Sequence, residues 1–437
     1  MCSLIRTYTH KYDIRGRISK RFGAEEAYLL GRAFARVISE EGLSGKVAVV
    51  GRDIRETSLS LSTKLIQGFV ESGVEVIDIG ICTTPMLRFA AILYKASGSV
   101  MVTASHNDFE DNGFKFTLNG RPFYDRSLQR LCDLIEEKNF IDAQGSVNTY
   151  KVRNLYIRNL CKSMVFSDNI KVIWIARNDF ITSLLEDILT KMPGQHMICN
   201  NIKDFQYFAP DVIFDFDTDA DRMMMMDATG RQWHGDETLA LFALNLNRTR
   251  NDITAIFDLK ASRVLMDWLE TLGIKCRISR IGSCFIDKKM LDLGAQLGGE
   301  TSGHFMFNDY NDRSDDGIYS AMRMVHLLSE ASTNLQHIKT IFPQIHISKS
   351  IKISCGEGNK LEVLERLKNI VRANDLVLHQ NEEDAILIKQ AEGWYVIRSS
   401  QTENTLTVRC EGFDKEGLDS VQAKAEELLS SVGLSLW

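Results

Sequence analysis

DVIFDFDTDADRMMMM, residues 211–226, places Asp217, Asp219 and Asp221 at alternate positions between two apolar runs. Carboxylates at i, i+2 and i+4 repel one another, so gathering them is costly unless a cation neutralises them. In a tight loop all three converge; in a continuing strand their alternation puts them on one face. Ligands that are all oxygen select a hard cation such as Mg²⁺. A calcium EF-hand also opens D-x-D-x-D. It needs glycine at its sixth position and glutamate at its twelfth, where this chain has Arg222 and Ala228. A solvated acidic turn fits poorly between the strand start VIF and four methionines at 223–226, which read as buried strand rather than as a cofactor box.

Outward from this segment, strand and helix signals alternate. Upstream lie strand IKVIWIA (170–176) and helix ITSLLEDILTKM (181–192). The N-terminal part has helix AEEAYLLGRAFARVISEEG (24–42), strands KVAVVG (46–51), VEVIDIG (74–80) and SGSVMVT (97–103), and helices from about Thr57 and after Pro85. Downstream come ITAIFDL (253–259), ASRVLMDWLETLG (261–273), KCRISRI (275–281) and helix DDGIYSAMRMVHLLSEAS (315–332). This predicts α/β units over 1–146, 147–246 and 247–348, with mixed sheets. From 349 to 437 the order changes to helix KLEVLERLKNIVRA, two or three strands (AILIKQ, WYVIRSS, LTVRCEG) and helix DSVQAKAEELLSSVG, a small α+β domain.

The chain has 437 residues, 44% apolar and 25% charged, which suits three or four domains. A formal charge of −6, with no basic run among aromatics, argues against a nucleic-acid or anionic-membrane binder. No run approaches a membrane span, and the N-terminus has no apolar core of signal length. Nine scattered cysteines, never spaced C-x-x-C, suit reduced thiols in a cytoplasm rather than disulfides or zinc.

Three further stretches could carry chemistry. VMVTASHNDFEDNGFKF (100–116) sets Ser105, His106 and Asn107 just past an apolar run, with Asn112 and Lys115 close behind. Turn chemistry alone would explain that stretch. GGETSGH (298–304) alternates Glu300, Ser302 and His304 on a flexible backbone, a set that suits sugar hydroxyls, which donate and accept. RSSQTEN (398–404), with Arg409 beyond it, offers arginine, hydroxyls and loop N–H groups as a phosphate cradle, although it is no P-loop. Each stretch alone also reads as an ordinary polar turn.

Taken in order, these motifs resemble those of the α-D-phosphohexomutases, in particular the bacterial phosphomannomutase/phosphoglucomutase branch. The likeness rests on K-Y-D-I-R-G (11–16), G-R-D-I-R (51–55), T-A-S-H-N (103–107), D-T-D-A-D-R, D-L-K-A-S-R (258–263), G-G-E-T-S-G-H and R-S-S-Q-T-E-N, seven motifs in the family's sequence. The resemblance implies three similar α/β domains and a C-terminal α+β domain around a central cleft. It implies phosphoserine at Ser105, with Mg²⁺ held between it and Asp217, Asp219 and Asp221. Arg15 and Lys115 would handle proton transfer and charge, Lys115 as a base if its pKa is lowered. His106 and Asn107 would support the serine loop, and Arg222 would sit by the metal. Tyr12, Lys260, Ser283, Glu300, Ser302 and His304 would face the sugar. Arg398, Ser400, Gln401, Thr402 and Arg409 would hold the phosphate that is not reacting. The implied reaction moves a phosphoryl group between C1 and C6 of a glucose or mannose phosphate. It runs through glucose 1,6-bisphosphate or mannose 1,6-bisphosphate, which also serves as activator, and no obligate protein partner is implied.

Departures from the family pattern are Asp108 for proline, Thr218 for glycine, Gln401 for glycine or asparagine, and Asn404 for proline. Gly282, Ser283 and Cys284 stand for Gly-His-Ser, so a histidine expected at the sugar is replaced by Ser283, on a turn facing the cleft. The second domain is short, with Arg177, Asn178 and Asp179 in place of a glycine-rich turn. Phosphoglucosamine mutase is the nearest alternative within the class; a degenerate homologue kept for binding or regulation is the alternative outside it.

Overall fold

The structure is a computed structural model that describes residues 2–19, 22–42, 46–162, 164–201, 207–331, 333–356, 359–373, 378–382, 384–400 and 404–436. Four sheets follow one another along the chain. The first contains β1 (Ile14–Arg17), β2 (Val47–Arg52), β3 (Glu75–Ile81), β4 (Gly98–Val102), β5 (Asp111–Leu118), β6 (Arg121–Phe123) and β7 (Ser146–Thr149). Its order is β1-β5-β4-β2-β3-β7, with β6 beside β5. Strands β4, β2, β3 and β7 are parallel, while β5 is antiparallel to its neighbours. Helices α1 (Cys2–Tyr8), α2 (Ala24–Glu40), α3 (Ser58–Val70), α4 (Thr84–Leu93) and α5 (Arg126–Glu136) accompany it.

Next come α6 (Arg153–Leu160), α7 (Asp179–Leu189) and a sheet of β8 (Lys171–Ile175), β9 (Gln195–Cys199), β10 (Val212–Phe216), β11 (Met223–Asp227) and β12 (Gln232–Trp233). The third sheet has β13 (Thr254–Asp258), β14 (Lys275–Ser279), β15 (Leu297–Gly299) and β16 (Phe305–Phe307). With it go α8 (Gly235–Asn247), α9 (Arg263–Thr271), α10 (Ser283–Leu293) and α12 (Leu335–Ile341), while α11 (Gly317–Ala331) packs against β10 and β11 of the second sheet. The orders are β12-β11-β10-β8-β9 and β14-β13-β15-β16. Last is an antiparallel sheet of β17 (His346–Ile347), β18 (Ile351–Ser354), β19 (Leu378–Glu382), β20 (Ala385–Gln390), β21 (Gly393–Ser399) and β22 (Thr405–Gly412), with α13 (Lys360–Ala373) and α14 (Lys415–Ser430). The expected three mixed α/β sheets and an α+β C-terminal part are present. The C-terminal sheet is larger than the two or three strands read from the sequence.

One feature recurs in the first three sheets. A strand with a parallel neighbour is followed at once by an antiparallel one, β4 by β5, β10 by β11 and β15 by β16. The connecting loops carry Ser105, the Asp217–Asp221 triad, and Glu300, Ser302 and His304. The acidic segment is therefore a loop, not a continuing strand. The methionine run is strand, with Met223 and Met225 buried. Ser283 is not on a turn: it is the first residue of α10.

The largest apolar core runs through all three of these sheets, for example through Met101, Trp174 and Phe257. The fourth unit has its own core and meets the third through Leu259, Leu387, Trp394 and Val396. Beside that seam, Glu411 of β22 accepts from the Arg263 backbone N–H at 2.8 Å, from the Ser262 hydroxyl and from the Trp394 indole. It thereby caps α9 from across the interface. Among the described residues no helix is long and apolar enough to cross a membrane, and no disulfide joins Cys82, Cys132, Cys161, Cys199, Cys276, Cys284, Cys355 or Cys410.

Glu411→Ala would leave buried donors unpaired and is expected to cost about 2–4 kcal/mol in urea unfolding, with Glu411→Gln costing less because it still accepts. An alanine variant as stable as the parent would show that this carboxylate does not join the two units.

Candidate functional site

The serine loop is held open by local strain and one buried arginine. Ser105 has φ of +53°, a conformation non-glycine residues adopt rarely and usually where surrounding contacts impose it. Its N–H donates to Thr103 Oγ1 at 2.9 Å. Arg55, at the end of G-R-D-I-R, is buried and oriented by Asp53 at 3.0 Å. Its guanidinium donates to the carbonyls of Ser105 and Asn107 at 2.8 Å each, of Asp111 at 3.0 Å, and of Asp108. A planar fork of donors suits such a cluster of carbonyls, which a lysine could not span. Arg15 reaches the same loop through Asn107 Oδ1 at 3.1 Å and is paired with Asp13.

Ser105 Oγ lies 3.3 Å from His106 Nδ1 and 3.5 Å from Asp217 Oδ2. Burial, then the Arg222 and Arg15 charges, pushes the His106 pKa down to about 4, so the ring is neutral at ordinary pH. The ligand oxygens of Asp217, Asp219 and Asp221 lie within 4.8 Å of one another. Asp219 Oδ1 and Asp221 Oδ1 are buried without a hydrogen-bond partner, as expected of carboxylates suited to a hard cation. Burial and its two neighbours push the Asp217 pKa well above the usual carboxylate range.

Lys115, reaching in from β5, supplies positive charge to the triad. Its Nζ is 2.8 Å from Asp219 Oδ2 and 2.6 Å from Asp221 Oδ2. Burial opposes its charge, but the two carboxylates outweigh burial and raise the pKa. The lowered pKa expected of a base is therefore absent in this arrangement. Burial likewise opposes ionisation of Asp221, yet the Lys115 charge brings its pKa below the ordinary value. Thr84, the first residue of α4, adds a donor to Asp219 Oδ2 at 2.6 Å.

The third sheet closes the other side. His304 Nδ1 is 3.1 Å from Asp315 Oδ2, and its Nε2 accepts from Arg222 Nε at 2.9 Å. Burial lowers the His304 pKa, but Asp221 and Asp315 outweigh it and raise the value to about 9. The Arg222 contact instead requires a lone pair on Nε2. A guanidinium cannot donate to an imidazolium, so the ring in this arrangement is neutral with its proton on Nδ1. Glu300 Oε1 accepts from the Gly282 N–H at 2.8 Å. Tyr12 donates to the Ile281 carbonyl at 2.6 Å and packs so close to Gly282 that a Cβ there would lie 2.9 Å from its ring.

These loops enclose one cavity of about 300 Å³. Tyr12, Arg15, Ser105, His106, Lys115, Asp221, Arg222, Lys260, Ser283, Glu300, Ser302, His304, Arg398 and Ser400 all line it. Gln401 and Thr402 lie outside the described residues. Arg409 does not line the cavity. It donates to the Lys260 carbonyl at 2.8 Å and faces Asp236 at 3.8 Å, so it holds the Lys260 loop from behind. Sequence reading gave no role to Asp53, Arg55, Thr84, Arg88, Asp287, Arg313 or Asp315. Only the G-R-D-I-R motif pointed towards any of them.

Three models of one family match the chain, together covering well over half of it. They are phosphoglucomutase/phosphomannomutase alpha/beta/alpha domain I over residues 6–142, domain III over 234–345 and the C-terminal domain over 351–428. The chain is 29% identical to a phosphomannomutase/phosphoglucomutase of Pseudomonas aeruginosa, over 97% of this chain and 96% of that one. It is 28% identical to a phosphoglucomutase of Neisseria meningitidis over the whole of both. A solved phosphoglucomutase/phosphomannomutase family protein from Burkholderia thailandensis superposes with a TM-score of 0.86 at 24% identity, covering 98% of each chain.

Two outcomes follow from the serine loop. Arg55→Lys is expected to raise amide hydrogen exchange at residues 104–111 and to cost about 2–3 kcal/mol of stability; unchanged exchange would mean the loop is held elsewhere. His106, followed by NMR, should titrate at about 4 instead of 6.5. Its folded pKa is depressed, so its contribution to stability is present above the unfolded value and is lost as pH falls from 6.5 towards 4. A midpoint near 6.5 would contradict its burial among the arginines.

Proposed function

Because the chain belongs to the phosphoglucomutase/phosphomannomutase family, we propose that it is a phosphohexomutase, moving a phosphoryl group reversibly between C1 and C6 of glucose and mannose phosphates. The observation that carries this reading is Ser105 Oγ at 3.5 Å from Asp217 Oδ2, in a cavity that also holds Lys260, Glu300 and Arg398.

In this reading Ser105 carries the phosphoryl group, donates it to one hydroxyl of the sugar monophosphate and takes the other phosphate back from the 1,6-bisphosphate. Asp217, Asp219 and Asp221 would hold Mg²⁺, whose charge offsets that of the transferring phosphoryl group. The Arg55 clamp presents the serine, and positioning of this kind accounts for much of the rate in such transfers. Lys115 has two states. With Asp219 and Asp221 charged beside it, it stays an ammonium; with a cation sharing their charge, burial alone would act on it and lower its pKa. That second state can accept a hydroxyl proton. Glu300 and Ser302 suit sugar hydroxyls, and Arg398 with Ser400 suits the phosphate that is not reacting. One cation-lined end facing one carrier lets a single site accept either orientation of the sugar. Cysteines that form no disulfide suit a reducing compartment such as the cytoplasm.

The test is intact-mass analysis together with a coupled assay on glucose 1-phosphate and mannose 1-phosphate. The parent protein should carry one phosphate on the Ser105 peptide and lose turnover with EDTA, and Ser105→Ala should lose nearly all turnover while folding normally. Asp219→Asn should lose Mg²⁺ affinity and turnover together. Full activity of the alanine variant would end the phosphoserine mechanism.

A further inference from the structure

A second cavity lies behind the Lys260 loop. It measures about 380 Å³, room enough for a small organic ligand. Part of its lining is apolar: Phe342, Ile345 and Ile347, from the stretch in which the chain passes from α12 into β17 and so from the third unit to the fourth. The rest is charged, with Arg231, Lys339 and Arg409 against Asp236 and Glu237.

The cations outnumber the carboxylates, and the contacts reflect it. Lys339 Nζ and Arg231 Nη2, the latter at 3.2 Å, both donate to Glu237 Oε1, while Glu237 Oε2 accepts from the His234 N–H at 3.0 Å. Among the described residues neither cation forms an ion pair with another carboxylate. Two cations on one carboxylate oxygen repel each other. They rest instead against aromatic faces, Arg231 5.8 Å from the Trp233 ring centre, Lys339 5.8 Å from the same centre and 5.4 Å from that of Phe342. Asp236 is occupied elsewhere, accepting from the Glu237 and Ser262 N–H groups at 3.1 and 2.9 Å. An anion entering this cavity meets cations already held in place beside an apolar surface.

The lining also reaches the central cavity. Lys260 points its side chain there, while its carbonyl accepts from Arg409 at 2.8 Å and the Ser262 N–H two residues on donates to Asp236. Arg409 is 4% exposed and faces Asp236 at 3.8 Å. The 258–263 loop is therefore tied at its back to two residues that line the second cavity. An occupant that draws the Arg409 guanidinium to itself loosens the hold on the Lys260 carbonyl.

We propose that the second cavity is an effector site for a small organic anion, a phosphate or carboxylate on an apolar body, whose binding opposes binding in the central cavity through Arg409 and the Lys260 loop. The anionic group sits on Lys339 and Arg231, and the body lies against Phe342 and Ile345. The site stands on its own geometry; the direction of its effect rests on the phosphohexomutase reading, in which Lys260 faces the sugar.

The experiment titrates phenyl phosphate, phenylacetate and inorganic phosphate into the full chain by calorimetry, with Ser105→Ala throughout. Phenyl phosphate or phenylacetate should bind about tenfold tighter than inorganic phosphate, and the tighter of the two tells a phosphate ester from a carboxylic acid as the occupant. Lys339→Met, and Ile345→Glu, which sets a carboxylate on the apolar side, should each weaken that binding about tenfold, while Lys339→Arg keeps it within about twofold. Filling the central cavity with glucose 1,6-bisphosphate should weaken the probe about fivefold and then no further. Saturating probe should weaken the bisphosphate by the same factor, because coupling between two sites is reciprocal. Probe binding that falls without limit as bisphosphate rises, and ignores Lys339→Met, would place the probe in the central cavity and overturn the proposal. Equal binding of inorganic phosphate, no binding of either ring-bearing probe, or two sites without coupling would overturn it as well. The probe titration needs neither a sugar phosphate nor turnover. A chain that binds the probe through Lys339 but does not bind glucose 1,6-bisphosphate would refute the mutase reading and leave the anion site standing.

Discussion

The contact of the Lys115 ammonium with Asp219 and Asp221 is the interaction on which the rest of this molecule turns. Three carboxylates cannot be buried side by side without compensating charge, because each raises the cost of ionising the next. The chain meets that cost with groups from separate sheets: Lys115 from β5, Thr84 from α4, and Arg222 from the acidic loop itself, backed by His304 and Asp315 of the third unit. Docking of the first three sheets and charge balance at the site are thus one requirement. Their shared apolar core supplies most of the burial, and the ionic contacts fix its register.

The same economy appears in the topology. Each of the first three sheets ends a parallel run with an antiparallel strand, and the loop at that reversal carries the chemistry. A reversal at the carboxyl end of a sheet exposes loop backbone to a crevice, where ligands tend to bind in open α/β sheets. Three such reversals facing one another, with Arg398 and Ser400 of the fourth unit, line a shared cavity. Rigid strands on either side of each loop explain how a strained residue such as Ser105 is kept in place.

The fourth unit is attached differently. Its link to the third is a narrow apolar seam with Glu411 and Arg409 at its margin. Arg409 was expected on a phosphate. Its place behind Lys260 shows that a cation in β22 can serve the site by holding another cation's loop. Cross-unit hydrogen bonds of this kind connect the position of the fourth unit to the shape of the cavity wall.

The sequence by itself determined the larger part of this. Continuous apolar runs marked buried strands such as β8, and apolar residues at helical spacing marked helices such as α9. The order of seven motifs pointed to the family, and most of the residues they nominated meet in one cavity. Only the tertiary structure decided the rest. Strand β1, Ile14–Arg17, carries two arginines and a glycine in four residues and is a strand only because β5 pairs with it. Strands β17 and β18 are two and four residues long, too short to show a period. Lys115 reads as a base until the carboxylates beside it are seen, since a pKa belongs to surroundings rather than to a residue type. Arg55 has no distinctive sequence spacing: it clamps carbonyls from 50 residues away or more. Periodicity reports which face of an element is buried, whereas the partner of a buried charge is chosen by contacts between distant segments, and those exist only once the chain has folded.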